Sequence, residues 1–150
     1  MKESVGYTVT LNIVITFIII VFAFLSAALI YFRSNKISNV ITDAIEKYEG
    51  YNDFSVAEIN SKITSLGYGS RTINCGSGID DNGALNGYCN TVTNDKALPG
   101  FCVYLCTDAE DSNYYYYKIR TNMMINIPII NDLLNIPIYS VTNRMYDFSK

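Results

Sequence analysis

The chain has 150 residues, a formal net charge of −3, no histidine and no tryptophan. Beyond Phe32 and Arg33 it carries 9 basic and 13 acidic side chains, a balance that speaks against nucleic acid, which selects basic patches, and against an anionic lipid surface. The missing histidine removes the commonest general base and the commonest metal ligand.

Residues 4 to 32 hold no charge, and most are apolar. As a helix these residues would rise roughly 43 Å, against about 30 Å for the hydrocarbon core of a bilayer. The stretch is long for the apolar region of a secretory signal, and no small-residue cleavage site of the A-x-A kind follows it. The expectation is a retained N-terminal membrane helix over residues 1–33, with about 118 residues on one side of the membrane. Two features of this helix favour contact with other helices. Ala23 and Ala27 lie at i, i+4 with Ser26 beside them, and small residues let helices approach closely in lipid. Asn12, with Thr8, Thr10 and Thr16, adds polar groups to a hydrocarbon span. The alternative is an ordinary anchor that tolerates Thr and Ala.

Ile37, Val40, Ile41, Ala44, Ile45 and Tyr48 continue an i, i+3, i+4 rhythm. This predicts an amphipathic extension over residues 34–50, stopped at Gly50, with a break near Ser34-Asn35 as the alternative. A short helix follows, capped by Ser55 with Glu58 closing a capping box and Phe54 and Ile59 as a hydrophobic staple. Ile59, Ile63 and Leu66 form its buried face, and Gly67 ends it. Residues 67 to 113 are rich in turns, with short strands expected around Arg71–Cys75 and Phe101–Cys106.

Tyr114 to Ile127 alternates, with Ile119, Thr121, Met123, Ile125 and Ile127 on one face. Lys118, Arg120, Asn122 and Asn126 fall on the other, as in a half-buried strand. Ile136 to Phe148 is a second strand whose phase slips near Ser140 to Asn143, where a bulge would fit. The connection between them is apolar. Ile129, Ile130, Leu133 and Leu134 mark it for packing under the domain or for contact with another subunit.

The four cysteines, Cys75, Cys89, Cys102 and Cys106, all lie in the domain. An even set in a loop-rich region fits disulfides in an oxidising compartment. This outweighs the flanking charges, Lys2 and Glu3 before the helix and Arg33 and Lys36 after it, which lean slightly towards a cytoplasmic domain. The spacing C-x13-C-x12-C-x3-C, without histidine, does not suit zinc. On one strand, Cys102 and Cys106 would share a face about 13 Å apart and could not pair. A nested pattern, Cys75–Cys106 with Cys89–Cys102, would suit antiparallel strands, but all three pairings stay open. The acidic clusters Asp80-Asp81-Asn82-Gly83 and Asp108-Ala-Glu110-Asp111 lack a calcium-loop register and read as solvated turns. No nucleophile elbow, P-loop, dinucleotide fingerprint or histidine dyad is present, so no catalytic residue, cofactor-binding residue, metal ligand or cofactor is assigned and no enzyme is expected.

Three segments together resemble the TadE-like pilins and pseudopilins of tight-adherence (Tad) pilus systems. Glu3 stands just before an apolar helix. That helix runs through Ala-Leu-Ile-Tyr-Phe-Arg into the extension Ile37 to Tyr48. The C-terminal strand Tyr-Lys-Ile-Arg-Thr-Asn-Met-Met-Ile turns at a proline- and leucine-bearing bend and returns as Ile-Pro-Ile-Tyr-Ser-Val-Thr-Asn-Arg-Met. The resemblance covers residues 1–50 and 114–148. It implies a structural subunit or assembly factor of a type IV-like pilus or secretion apparatus, with membrane lipid, other pilin-like subunits and an inner-membrane assembly platform as partners. Glu3 would then pair with the N-terminus of a neighbouring subunit. Type IV-like prepilins place Glu five residues after a Gly or Ala cut, whereas a cut at Gly6 puts Leu11 there, so no cleavage site is carried over. The expected fold class is α+β: a membrane helix, an amphipathic extension, and an extracytoplasmic domain over residues 51–150 with a short helix and an antiparallel sheet. The alternative function is a single-pass anchored binding or adhesion domain outside any filament, using a tyrosine-rich face such as Tyr114–Tyr117.

Overall fold

The computed structural model describes residues 2–66, 73–93, 100–127 and 130–148, with backbone only for 2–5, 123–127 and 130–135. It is an α+β structure. Helix α1 (Lys2–Lys47) is one unbroken helix of 46 residues, so the break near Ser34-Asn35 does not occur. The cause lies in its packing. Ser34, Ile37, Ser38, Ile41, Ala44 and Ile45 are all buried, a stripe at helical spacing that seats the last third of α1 on the sheet. The helix ends in a Schellman arrangement, with Gly50 N donating to Ile45 O at 2.9 Å and Glu49 N to Glu46 O at 3.2 Å. Glu49 takes the left-handed conformation at φ 51°, where glycine is the usual choice.

Helix α2 (Asp53–Ser65) begins three residues earlier than expected. Asn52 is its cap, accepting from Phe54 N at 3.1 Å and Ser55 N at 3.0 Å. Ser55 is the reciprocal partner, accepting from Asn52 N at 2.9 Å. Both residues are competent N-caps. The Asn52 register buries Ser55, Val56, Ile59 and Ile63 and leaves Phe54 exposed. Glu58 instead bridges the two helices, 2.6 Å from Lys47 and 2.6 Å from Lys62. Gly67 lies outside the described residues.

The sheet is antiparallel, in the order β1 (Gly78–Asp80), β2 (Tyr88–Thr91), β3 (Phe101–Thr107), β4 (Tyr114–Ile127) and β5 (Ile130–Val141), with β6 (Met145–Tyr146) also on β4. The phase slip in the last strand is real. β5 and β6 are separated at Thr142, whose Oγ1 accepts from Tyr117 N at 2.9 Å and whose own N–H donates to Tyr117 O at 2.9 Å. The expected strand around Arg71–Cys75 does not form over its described part, Ile73 to Cys75. The hairpin of β1 and β2 takes the place beside β3. It requires Gly78, because a Cβ there would collide with the Cys89 carbonyl and the Tyr88 ring.

The two faces of the sheet are covered differently. On one, α1 and α2 close over Phe101, Val103, Tyr117 and Ile119 to form the main core. On the other, residues 73–91 fold over Tyr104, Cys102, Cys106 and Tyr116. Two disulfides fasten this lobe, Cys75–Cys102 and Cys89–Cys106. The nested pairing does not occur. Asn90 stands opposite Leu105, which brings Cys89 to Cys106 with Cα atoms 4.5 Å apart and leaves Cys102 for the chain at Cys75.

Candidate functional site

Two places gather the groups that could do something, the apolar part of α1 and a polar hub under the lobe. In α1, the side chain of Glu3 lies outside the described residues. Asn12, Ala23 and Ser26 are exposed, while Ala27 is partly covered. The hydroxyls here bond back to their own helix: Thr10 to Gly6 O at 2.9 Å, Thr16 to Asn12 O at 2.8 Å, and Ser26 to Phe22 O at 2.9 Å. Such back-bonding satisfies them without a second chain. Asn12 differs, since its side-chain amide has no hydrogen-bond partner among the described residues. At about 100° per residue, Asn12, Ala23, Ala27 and Ile30 fall within about 60° of one another, on the stripe that Ser34 and Ile41 continue into the core. The helix carries 18-residue windows of mean hydropathy up to 3.1, with none of that window buried. It is consistent with a single-pass membrane anchor, and the two disulfides suit a domain outside the cytoplasm.

The hub centres on Asp81, at the start of the β1–β2 loop. Its Oδ1 accepts from Gly83 N at 3.1 Å. Its Oδ2 accepts from the Tyr116 hydroxyl at 3.2 Å and from Lys118 Nζ at 3.3 Å. Burial disfavours the charged carboxylate, but the Gly83 N–H and the Lys118 ammonium outweigh it and hold the group below the ordinary carboxylate range. Burial, then the Asp81 charge, push Tyr116 up to about 12, so its hydroxyl stays a donor. The sulfurs of Cys89 and Cys106 lie close to the Asp81 carboxylate. Joined to each other, they offer no thiolate to a metal. The hub therefore works as a clamp that ties the lobe to β4.

A second acidic group is also structural. Asp108 is buried, accepts from Glu110 N at 2.8 Å and pairs with Arg144 Nε at 2.6 Å. Asp81 and Asp108 are thus not the solvated turns that their neighbours suggest. The signal that could have found the hub is the phase of β4. Tyr116, Lys118 and Arg120 alternate onto the face of Cys102 and Cys106, through the pairs Cys102–Arg120 and Cys106–Tyr116. Arg120 is engaged there as well, with Nη2 2.6 Å from Asn74 O.

The tyrosine run is split by the same alternation. Tyr116 and Tyr117 are buried on opposite faces, so the run forms no continuous binding surface. A different aromatic series is exposed: Tyr114, Tyr146 and Phe148, with successive ring centroids 5.3 and 5.1 Å apart. Tyr146 and Phe148 border an open groove of about 490 Å³ with Glu49 and Arg144. Of the apolar connection, Ile129 lies outside the described residues. Ile130, Leu133 and Leu134 belong to β5, where Ile130 pairs with Ile127 and Leu134 with Ile125; their side chains are likewise outside the description.

No family model matches this chain, and no curated protein or solved structure matches it either.

Proposed function

We propose that this chain is a pilin-like or pseudopilin-like subunit, or an assembly factor, of a type IV-like pilus or secretion apparatus of the Tad kind. The observation that carries the reading is the way the domain is mounted. The apolar and amphipathic parts of α1 form one helix, and its last third is the floor of the domain core. An anchor for an independent binding domain needs only a linker, and flexible linkers leave domain orientation free. Here any packing between the apolar helices would fix where the domains stand. The unpartnered Asn12 amide gives such packing a polar contact of the kind that joins helices in lipid. The domain would then form the coat of a helical core.

The test is a photo-crosslinking amino acid in place of Asn12 or Ala23 in cells that assemble filaments. Crosslinked multimers that co-purify with other pilin-like subunits support the reading. A chain that stays monomeric at both positions and never co-purifies with filaments overturns it.

A second reading is favoured by the exposed series Tyr114, Tyr146 and Phe148 beside its groove. It is an anchored domain that recognises a peptide or glycan through stacked aromatic rings. Under this reading, replacing Tyr146 and Phe148 by Ala abolishes surface adhesion, and the label at Asn12 gives no crosslinked multimers.

A further inference from the structure

We propose that the groove beside β6 binds an extended peptide segment carrying lysine or arginine, with the cationic group seated between Glu49 and the exposed aromatic rings. The proposal rests on the second reading, in which that groove is a binding surface, and narrows its ligand from any peptide or glycan to a cationic polypeptide.

Three sources of negative potential meet in the groove. The first is aromatic. Tyr115, Tyr146 and Phe148 line its volume of about 490 Å³, and ring faces attract cations. Tyr146 is 46% exposed and Phe148 87%, so both rings are open to a ligand. The second is carboxylate. Glu49 and Asp147 line the same groove. Arg144 is the one basic side chain in the lining among the described residues. Its guanidinium is already held by Asp108 at 2.6 Å and Glu110 at 3.2 Å. The third is the end of α1. The Tyr115 hydroxyl donates to Glu49 O at 3.3 Å, which places the C-terminal end of that helix against the groove, and such an end favours cations.

Tyr115 responds to this surrounding. Burial first, then Tyr117, Asp147 and Glu49, push its phenol above the ordinary value, as expected where a further negative charge is unwelcome.

The backbone favours a polypeptide over a sugar. β6 has β4 as its one partner strand among the described residues. Its other edge is available for strand addition, in which main-chain hydrogen bonds give affinity and alternate side chains enter pockets. A neutral sugar would stack on the rings and leave the negative potential uncompensated. The groove is also reachable. Between Phe32 and Lys47 the helix rises about 22 Å, so the groove stands clear of a bilayer around the charge-free stretch.

The experiment uses the full oxidised chain in phosphatidylcholine nanodiscs and reads the fluorescence anisotropy of a labelled peptide of alternating lysine and threonine. A peptide with glutamine at every lysine position and a labelled maltohexaose are the comparisons. The expected result is that the lysine peptide binds several-fold more tightly than either. Glu49→Gln and Phe148→Ala should each weaken it several-fold; Phe148 is too exposed for its removal to disturb the core. Asp80→Asn removes an equal charge from an exposed position outside the groove and should leave the affinity unchanged. If the glutamine peptide or the oligosaccharide binds as tightly and Phe148→Ala still weakens it, the cationic ligand falls and the aromatic binding surface stands. If the lysine peptide binds but neither groove variant weakens it, or Asp80→Asn weakens it equally, the attraction is general to an acidic domain and the proposal falls. Binding that emerges only after Lys150→Ala means that this chain's own lysine fills the groove, which also overturns it. If no probe binds the native chain or that variant, the binding-surface reading fails and takes this proposal with it.

Discussion

The two faces of the sheet are held by different forces. On the helix face, Ile37, Ile41, Ile45, Ile59, Ile63, Val103 and Ile119 are completely buried, and apolar burial does most of the work. On the lobe face, the covering strands have three and four residues. A segment that short cannot bury enough surface to hold itself down, and small units of this kind rely on crosslinks. Two disulfides and the Asp81 clamp supply what burial does not. The chain is thus a conventional core on one side and a stapled cover on the other.

The largest effect expected from that difference follows removal of the staples. Cys75→Ser with Cys102→Ser, and Cys89→Ser with Cys106→Ser, open loops with separations of 27 and 17 residues. Each loss should cost about 3 kcal/mol by loop entropy. Hydrogen exchange should show the amides of β2 unprotected while Ile119 in β4 stays protected. Equal loss at Ile119 would mean that the two faces are one cooperative unit. The next largest effect is Ile41→Ala, at about 3 kcal/mol for a buried aliphatic truncation. This change should lower protection of β4 and α2 together and shift the denaturation midpoint of the whole domain.

The same contrast explains what the sequence revealed. The helix face was legible because burial leaves a period. α1 kept its i, i+3, i+4 rhythm to Tyr48, β4 ran from Tyr114 to Ile127 as its alternation said, and the slip near Ser140 marked a true interruption. The lobe face left weaker signals. β1 and β2 are too short for periodicity, and their place depends on Gly78 and on a cysteine pairing that spacing does not determine. Asn52 and Ser55 are both good caps, and only the tertiary burial of Val56 and Ile59 selects Asn52 as the cap of α2. Asp81 looked like a turn residue because its partners, Tyr116 and Lys118, are distant in sequence.

Smaller changes probe the lobe face without cutting it loose. Gly78→Ala should destabilise the β1–β2 hairpin by about 1–3 kcal/mol, the usual penalty of overpacking, read as faster exchange at Cys89 and Asn90. Asp81→Asn should weaken the clamp by about 1 kcal/mol, the net worth of a typical hydrogen bond. Acid should mimic it. The Asp81 carboxyl is held below its ordinary value, so its contribution is complete above the unfolded value near 4. The contribution is lost as pH falls through the lower folded value. Exchange at Cys89 should therefore rise in that window for the native chain and stay flat for Asp81→Asn.

The smallest effect should come from the polar seam on the helix face, and that smallness separates the two faces. Ser38 is buried and donates to Ser140 Oγ at 2.6 Å. By position it resembles Asp81, a polar group joining two elements. Its removal differs in what it leaves behind. After Ser38→Ala, Ser140 keeps Thr42 Oγ1 at 3.1 Å, so no buried group is orphaned. Alanine also gains up to about 0.7 kcal/mol of helix propensity, against about 1 kcal/mol for the lost bond. The expected net loss is about 0.5 kcal/mol or less, measured as a small shift in denaturation midpoint. A loss as large as that of Asp81→Asn would mean that hydroxyl pairing, rather than apolar burial, seats α1 on the sheet. The contrast between the two faces would then be one of degree only.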